Sequence, residues 1–134
     1  MPFTKLRYHI VSGTHQGLPL ITSDIEKILY KLMQNEALEL GGKFIALGGT
    51  ENHVHGVAII PESVALSEFV QKVKANSSRI LNRTQQMDQE FALQEGYGAF
   101  TVDPRAMIPI IKYVKNQKQH HADNSLIKHL ETRE

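Results

Sequence analysis

The sequence predicts an α+β fold, a mainly antiparallel sheet flanked by helices. Three observations carry the prediction. Read by periodicity, the elements run strand, helix, paired strands, helix, strand, helix, the order of a sheet with helices packed on it. The two central strands are separated by so few residues that they must pair antiparallel. A chain of 134 residues, 41% hydrophobic and 22% charged, has the make-up of an ordinary globular domain with one core, so residues 1–134 are taken as a single domain.

The first strand is Lys5 to Val11 (KLRYHIV), with large side chains on both faces. Ser12 to Pro19 carries two glycines and a proline and reads as a loop. Ser23 or Asp24 can cap a helix in which Ile25, Ile28, Leu29, Leu32 and Met33 follow at helical spacing, and Gly41-Gly42 ends it. Phe44 to Leu47 is a short apolar strand ending in Gly48-Gly49, and a turn through Thr50, Glu51 and Asn52 leads into a second strand, His53 to Ile60, closed by Pro61. Ser63 can cap the next helix, with Leu66, Phe69, Val70, Val73, Ser77 and Ile80 on one face and Lys72, Arg79 and Arg83 on another. Gly96 to Val102 is the last strand. Asp103-Pro104 supplies a cap and a proline at the first helical position of a helix running to about His121, in which Pro109 should delay or kink the start.

Composition narrows the function. There are no cysteines, which removes disulfides, thiolate metal sites and cysteine nucleophiles and favours the cytoplasm. No apolar run is long enough for a membrane span and no secretory signal is visible at the N-terminus. Fifteen basic against 14 acidic residues give a net charge of +1, so bulk charge does not mark a nucleic-acid binder and any such role must rest on local patches.

Histidine, with seven residues, is the unusual feature. Side chains alternate along a strand, so His53 and His55 project to the same side, one pleat apart, where both imidazoles can reach one ion. Val54 points the other way, into the core beside Ala58 and Ile60. The pair lies at a strand start after a glycine-rich turn, which reads as a place near a sheet edge. Two surface histidines on a solvated face are the alternative. The metal-free histidine-triad hydrolases need a third histidine where this chain has Val57.

On the last helix Tyr113 and Gln117 are one turn apart and His120 continues their stripe, while Met107, Ile111 and Val114 form a separate apolar stripe. An amphipathic helix with a half-buried tyrosine would look the same.

With both features in view, the chain resembles the single-tyrosine HUH transposases of bacterial insertion sequences (the insertion-sequence-200/605 type), including the REP-associated tyrosine transposases. The matching pieces are YHIV (Tyr8 to Val11), Gly48-Gly49 leading into NHVH (Asn52 to His55), KANSSRI (Lys74 to Ile80), QEGYGAFTV (Gln94 to Val102) and YVKNQKQHH (Tyr113 to His121). The resemblance implies a sheet of the ferredoxin-like HUH endonuclease type. It implies His53, His55 and Gln117 as ligands of Mg²⁺ or Mn²⁺, and Tyr113 as nucleophile. It also implies single-stranded DNA beside a DNA hairpin as substrate and a homodimer as the working form, in a bacterial or archaeal cytoplasm. Three positions depart from the pattern: Asn52 where many relatives have aspartate, Thr14-His15-Gln16-Gly17 where many are basic, and Leu93 where tryptophan is common.

Those residues imply a sequence of chemical events. A tyrosine attacking a phosphodiester leaves a 5′-phosphotyrosine and a free 3′-hydroxyl, and the stored bond energy lets a second 3′-hydroxyl reverse the step and join strands. The tyrosine must lose a proton near neutral pH, and no dedicated base stands out; His120 is a candidate assisting group. Lys72, Arg79 and Arg83 are candidates for backbone phosphates. The alternative is a domesticated relative that binds DNA hairpins as a regulator or processes repeats. A replication initiator or relaxase would need more chain, and an unrelated metalloprotein would leave the tyrosine motif unexplained. For the dimer, the apolar HVHGVAII strand is expected to meet its symmetry mate across a two-fold contact.

Overall fold

A computed structural model of the protein describes residues 3–123 and 130–131. Its elements are β1 (Arg7–Gly13), α1 (Ser23–Glu39), β2 (Lys43–Thr50), β3 (His53–Ile59), α2 (Leu66–Thr84), β4 (Gly98–Thr101), α3 (Met107–Lys115) and α4 (Gln117–Asp123). The four strands form one antiparallel sheet in the order β2-β3-β1-β4. The α+β architecture expected from the sequence is the one observed.

Register sorts the side chains into two layers. Ile10 lies opposite Gly56 and Ser12 opposite Val54, and this face packs against α1 and α2. Ile25, Leu29, Met33, Phe44, Val54, Ala58, Ile60, Phe69, Val70, Val73 and Leu81 form its core. Val11 lies opposite His55, Gly13 opposite His53 and His9 opposite Val57, so the histidines share the other face. There α3 seals a smaller apolar cluster of Ala46, Val57 and Val114, with Met107, Ile110 and Ile111 partly buried around it.

The local reasons are those of the sequence, with departures at Gly48-Gly49 and at Asn116. Helix α1 ends where expected: Gly41 takes φ +84°, the Gly42 N–H donates to the Ala37 carbonyl at 3.0 Å and the Gly41 N–H to that of Leu38 at 3.1 Å, a closure that left-handed glycine allows. Gly48 and Gly49 do not end β2 but continue it. A Cβ on Gly48 would lie 2.0 Å from the Val114 carbonyl oxygen, so the missing side chain is what lets α3 lie directly on the strand. No kink occurs at Pro109, but the α-helix starts late, as expected: Pro104–Ala106 form a 3-10 turn and α3 begins at Met107, with Pro109 in its first turn, where amides lack intrahelical partners in any case. The long final helix instead breaks at Asn116 (φ −105°, ψ 28°).

Two placements differ from the sequence reading. Strand β3 is paired on both sides, with β1 and β2, so the histidine pair sits mid-sheet and the strand has no free edge for a symmetry mate. The edges of the sheet are β2 and β4. Among the described residues, no helix is long and apolar enough to cross a membrane.

Candidate active site

His53 and His55 point into the space between the sheet and the α3–α4 segment and are 1% and 0% exposed, which excludes the solvated-face reading. His53 Nδ1 meets Thr50 Oγ1 at 2.8 Å and Asn52 Oδ1 at 3.0 Å. Thr50 in turn donates to Asn52 Oδ1 at 3.2 Å. Asn52 thus supplies His53 with an uncharged acceptor. These contacts engage Nδ1 and leave Nε2 aimed at Gln117 Oε1 (3.2 Å) and His121 Nε2 (3.0 Å).

His55 is held from both ends. Its Nδ1 is 2.7 Å from His9 Nε2 and its Nε2 is 3.0 Å from Glu131 Oε1. The same carboxylate oxygen lies 3.6 Å from His53 Nε2 and 3.8 Å from His121 Nε2. One ligand atom each from His53, His55 and Glu131 fall within 4.8 Å of one another. Two imidazoles and a carboxylate at that separation form a donor set suited to a divalent cation.

Tyr113, 4% exposed, donates its hydroxyl to Glu131 Oε2. Its ring stands edge-on to His55 at 6.0 Å and lies 4.6 Å from the His120 ring. Gln117, first residue of α4 and 1% exposed, donates its Nε2 to the Tyr113 carbonyl at 3.2 Å. The backbone break at Asn116 therefore does not separate the two residues that the sequence placed on one helical face.

Electrostatics follow from burial. His9, fully buried, is held down at about 4 from 6.5, first by desolvation of its charged form and then by neighbouring His55, against a smaller opposing pull from Glu131. Burial pushes the Glu131 carboxyl up. Hydrogen bonds from His55 and Tyr113, with the charges of His55 and His53, outweigh it and bring the group down to about 2.

Of the residues anticipated from the sequence, His53, His55, Tyr113, Gln117 and His120 come together here. Lys72, Arg79 and Arg83 do not: α2 covers the opposite face of the sheet. Lys72 pairs with Glu68 at 2.9 Å, and Arg79 and Arg83 line a groove of about 790 Å³ between α2 and residues 90–97. Three participants were missed. His9 carried a signal, since strand alternation in YHIV puts it on the face of Val11. His121 carried a weaker one, next to His120. Glu131 carried none, because it lies well beyond the tyrosine motif and joins the site only through the path of the chain.

Comparison with known proteins gives concordant results. The sequence pattern described as "Transposase IS200 like" matches residues 2–117. A solved structure of a candidate transposase from Deinococcus radiodurans R1 superposes with a TM-score of 0.69 at 21% identity, covering 87% of this chain and 93% of that one. A REP-associated tyrosine transposase bound to a REP hairpin superposes with a TM-score of 0.65 at 11% identity, covering 96% of this chain and 74% of that one. No curated protein sequence matches the chain. At these identities the two structures establish the fold, whereas the sequence pattern spans most of the chain.

Proposed function

We propose, from the premise that this chain belongs to the IS200-like transposase family and is an enzyme of the tyrosine-transposase nuclease type, that it cuts and rejoins single-stranded DNA beside a hairpin with Tyr113 as nucleophile. The observation that carries the proposal is the Tyr113 hydroxyl bonded to the carboxylate of the His53–His55–Glu131 cluster. Residues 1–134 act as one catalytic domain.

His53, His55 and Glu131, with Gln117 alongside, would hold Mg²⁺ or Mn²⁺. When bound, such an ion polarises a phosphate oxygen and fixes the phosphate against the nucleophile. The chain's own residues do the rest. The α3 helix holds the Tyr113 ring between His55 and His120, so the hydroxyl has little freedom to lose on attack. As the Tyr113 oxygen bonds to phosphorus and the bond from phosphorus to the 3′-oxygen breaks, the phenolic proton passes to Glu131 Oε2. A carboxylate held low is a weak base, but an arriving anionic phosphate beside it raises its proton affinity. The departing 3′-oxygen takes a proton from water. His120 keeps the ring in place. Lys72, Arg79 and Arg83 are left to DNA backbone outside the cluster.

The DNA-hairpin substrate is carried over from the REP-associated relative, which is bound to a REP hairpin. Joining needs two DNA ends held at once, so the working form is a homodimer, in the cytoplasm where bacterial or archaeal DNA becomes single-stranded. The test is a labelled single strand from DNA flanking the gene, including its palindrome, scored for a covalent protein–DNA adduct on a denaturing gel. Wild-type protein with Mg²⁺ or Mn²⁺ should form the adduct; Tyr113→Phe should bind the strand and form none. Adduct at the wild-type level from Tyr113→Phe would end the assignment and turn attention to Tyr97.

A further inference from the structure

We infer that His9 is a positioning residue for metal binding, holding His55 in the ring orientation and tautomer that present its Nε2 to an ion. The inference rests on the metal reading of the cluster above. His9 is fully buried. Its Nε2 lies 2.7 Å from His55 Nδ1, and the two rings stack at 5.0 Å with planes 27° apart. Phe100, opposite His9 in the register of β1 and β4, packs at 5.8 Å, and the Tyr113 ring at 6.5 Å stands edge-on to it. His9 is thereby wedged among His55, Phe100 and Tyr113.

The tautomer argument is one of proton counting. A neutral imidazole carries one N–H. If His55 gives its Nε2 lone pair to a cation, its proton is on Nδ1, and a buried N–H requires an acceptor. His9 Nε2 stands at hydrogen-bond distance from it. His9 must then carry its own proton on Nδ1, an atom with no hydrogen-bond partner among the described residues. A buried polar atom left unpaired has a cost, and the structure accepts it where it secures the orientation of His55. His53 receives the equivalent service from Thr50 and Asn52. The two histidines are thus oriented by different chemistry, a hydroxyl with a carboxamide for one and an imidazole for the other. Partners of this kind on the remote nitrogen of a ligating histidine are worth about 10–100-fold in metal affinity.

The experiment measures Mn²⁺ binding to the full-length protein by calorimetry, without DNA. His9→Phe keeps a ring of similar size in the wedge and removes the acceptor; His9→Gln puts a side-chain oxygen where Nε2 lies. Affinity for Mn²⁺ should fall by about 10–100-fold in His9→Phe and return to within a few-fold of wild type in His9→Gln. Wild-type affinity in a folded His9→Phe protein, or equal loss in both variants, would overturn the inference. Should His9→Phe fail to fold, nitrogen-15 spectra of Mg²⁺-saturated wild type decide: a proton on His55 Nδ1 is expected, and one on Nε2 refutes it. Wild-type protein that takes up no Mn²⁺ defeats the metal reading, and this inference with it, whereas unaltered uptake by His9→Phe defeats only the role of His9.

Discussion

His9 and Glu131 give the site pH signatures of the same sign in different windows. The His9 value of about 4 against 6.5 means that the unfolded chain binds a proton in that interval and the folded one does not. Stability contributed by neutral His9 is therefore complete above pH 6.5, declines as pH falls toward 4, and changes no further below it. The shift corresponds to about 3 kcal/mol at most. Urea unfolding at pH 7 and pH 4 should show wild type losing more stability than His9→Gln over that range; parallel losses would contradict the assignment. Glu131, depressed to about 2 from 4.5, stabilises the fold fully above pH 4.5 and loses that contribution as pH falls from there through 2, while the group itself stays ionised until about 2. Replacing it by Gln removes the proton acceptor of Tyr113, and the rate of adduct formation should fall about 100-fold or more; an unchanged rate would remove Glu131 from the mechanism. Legibility at this scale followed spacing. His53, His55, Tyr113 and Gln117 lie at strand or helix intervals that force a shared face, whereas Glu131 has no such interval to any of them.

Periodicity located α1, α2 and the α3–α4 segment among the described residues but misjudged the ends of the last two and some of the punctuation. The α2 stripe was read through Ile80, yet Leu81 is the residue buried in the last turn, a one-position drift that a helical wheel does not resolve. Glycine was read as a terminator at Gly48-Gly49 because turn formation and close backbone approach leave the same letter in the sequence. The structure separates the two. At Gly48 the constraint is the α3 backbone, with the Val114 oxygen 2.0 Å from where a Cβ would stand. Gly48→Ala must lift α3 from β2, costing about 1–3 kcal/mol and moving Tyr113 away from Glu131. Thermal unfolding together with the adduct assay checks this: a normal melting temperature with normal cleavage would mean that α3 does not rest on Gly48.

For the whole molecule, the sheet order decides what the sequence could not. Hydrophobic HVHGVAII reads equally well as a central strand or an interface strand, since both bury two faces; pairing on both sides makes it central and leaves β2 and β4 as the edges. The same arrangement brings the tyrosine helix onto the histidines of its own chain. Mixing Tyr113→Phe with His53→Ala subunits tests whether that arrangement is the active one. If each chain completes its own site, mixed dimers regain no cleavage, because every subunit keeps one defect. Recovery of cleavage on mixing would show instead that the helix crosses to the partner during the reaction.

The break at Asn116 also sets how the site comes apart. Helix α3 is fastened through its backbone to β2, while α4, described over Gln117–Asp123, is joined to the rest of the site through side chains that include Gln117, a Lys118–Glu26 ion pair and the His121–His53 contact. Segments with few buried apolar side chains open on their own before the rest of a fold, and in this part of α4 most side chains are exposed. Amide protons of residues 120–122 should accordingly exchange with deuterium sooner than those of 113–115, releasing Gln117 while Tyr113 stays in register. Metal exchange and nucleophile placement would then run on separate clocks within one 134-residue chain.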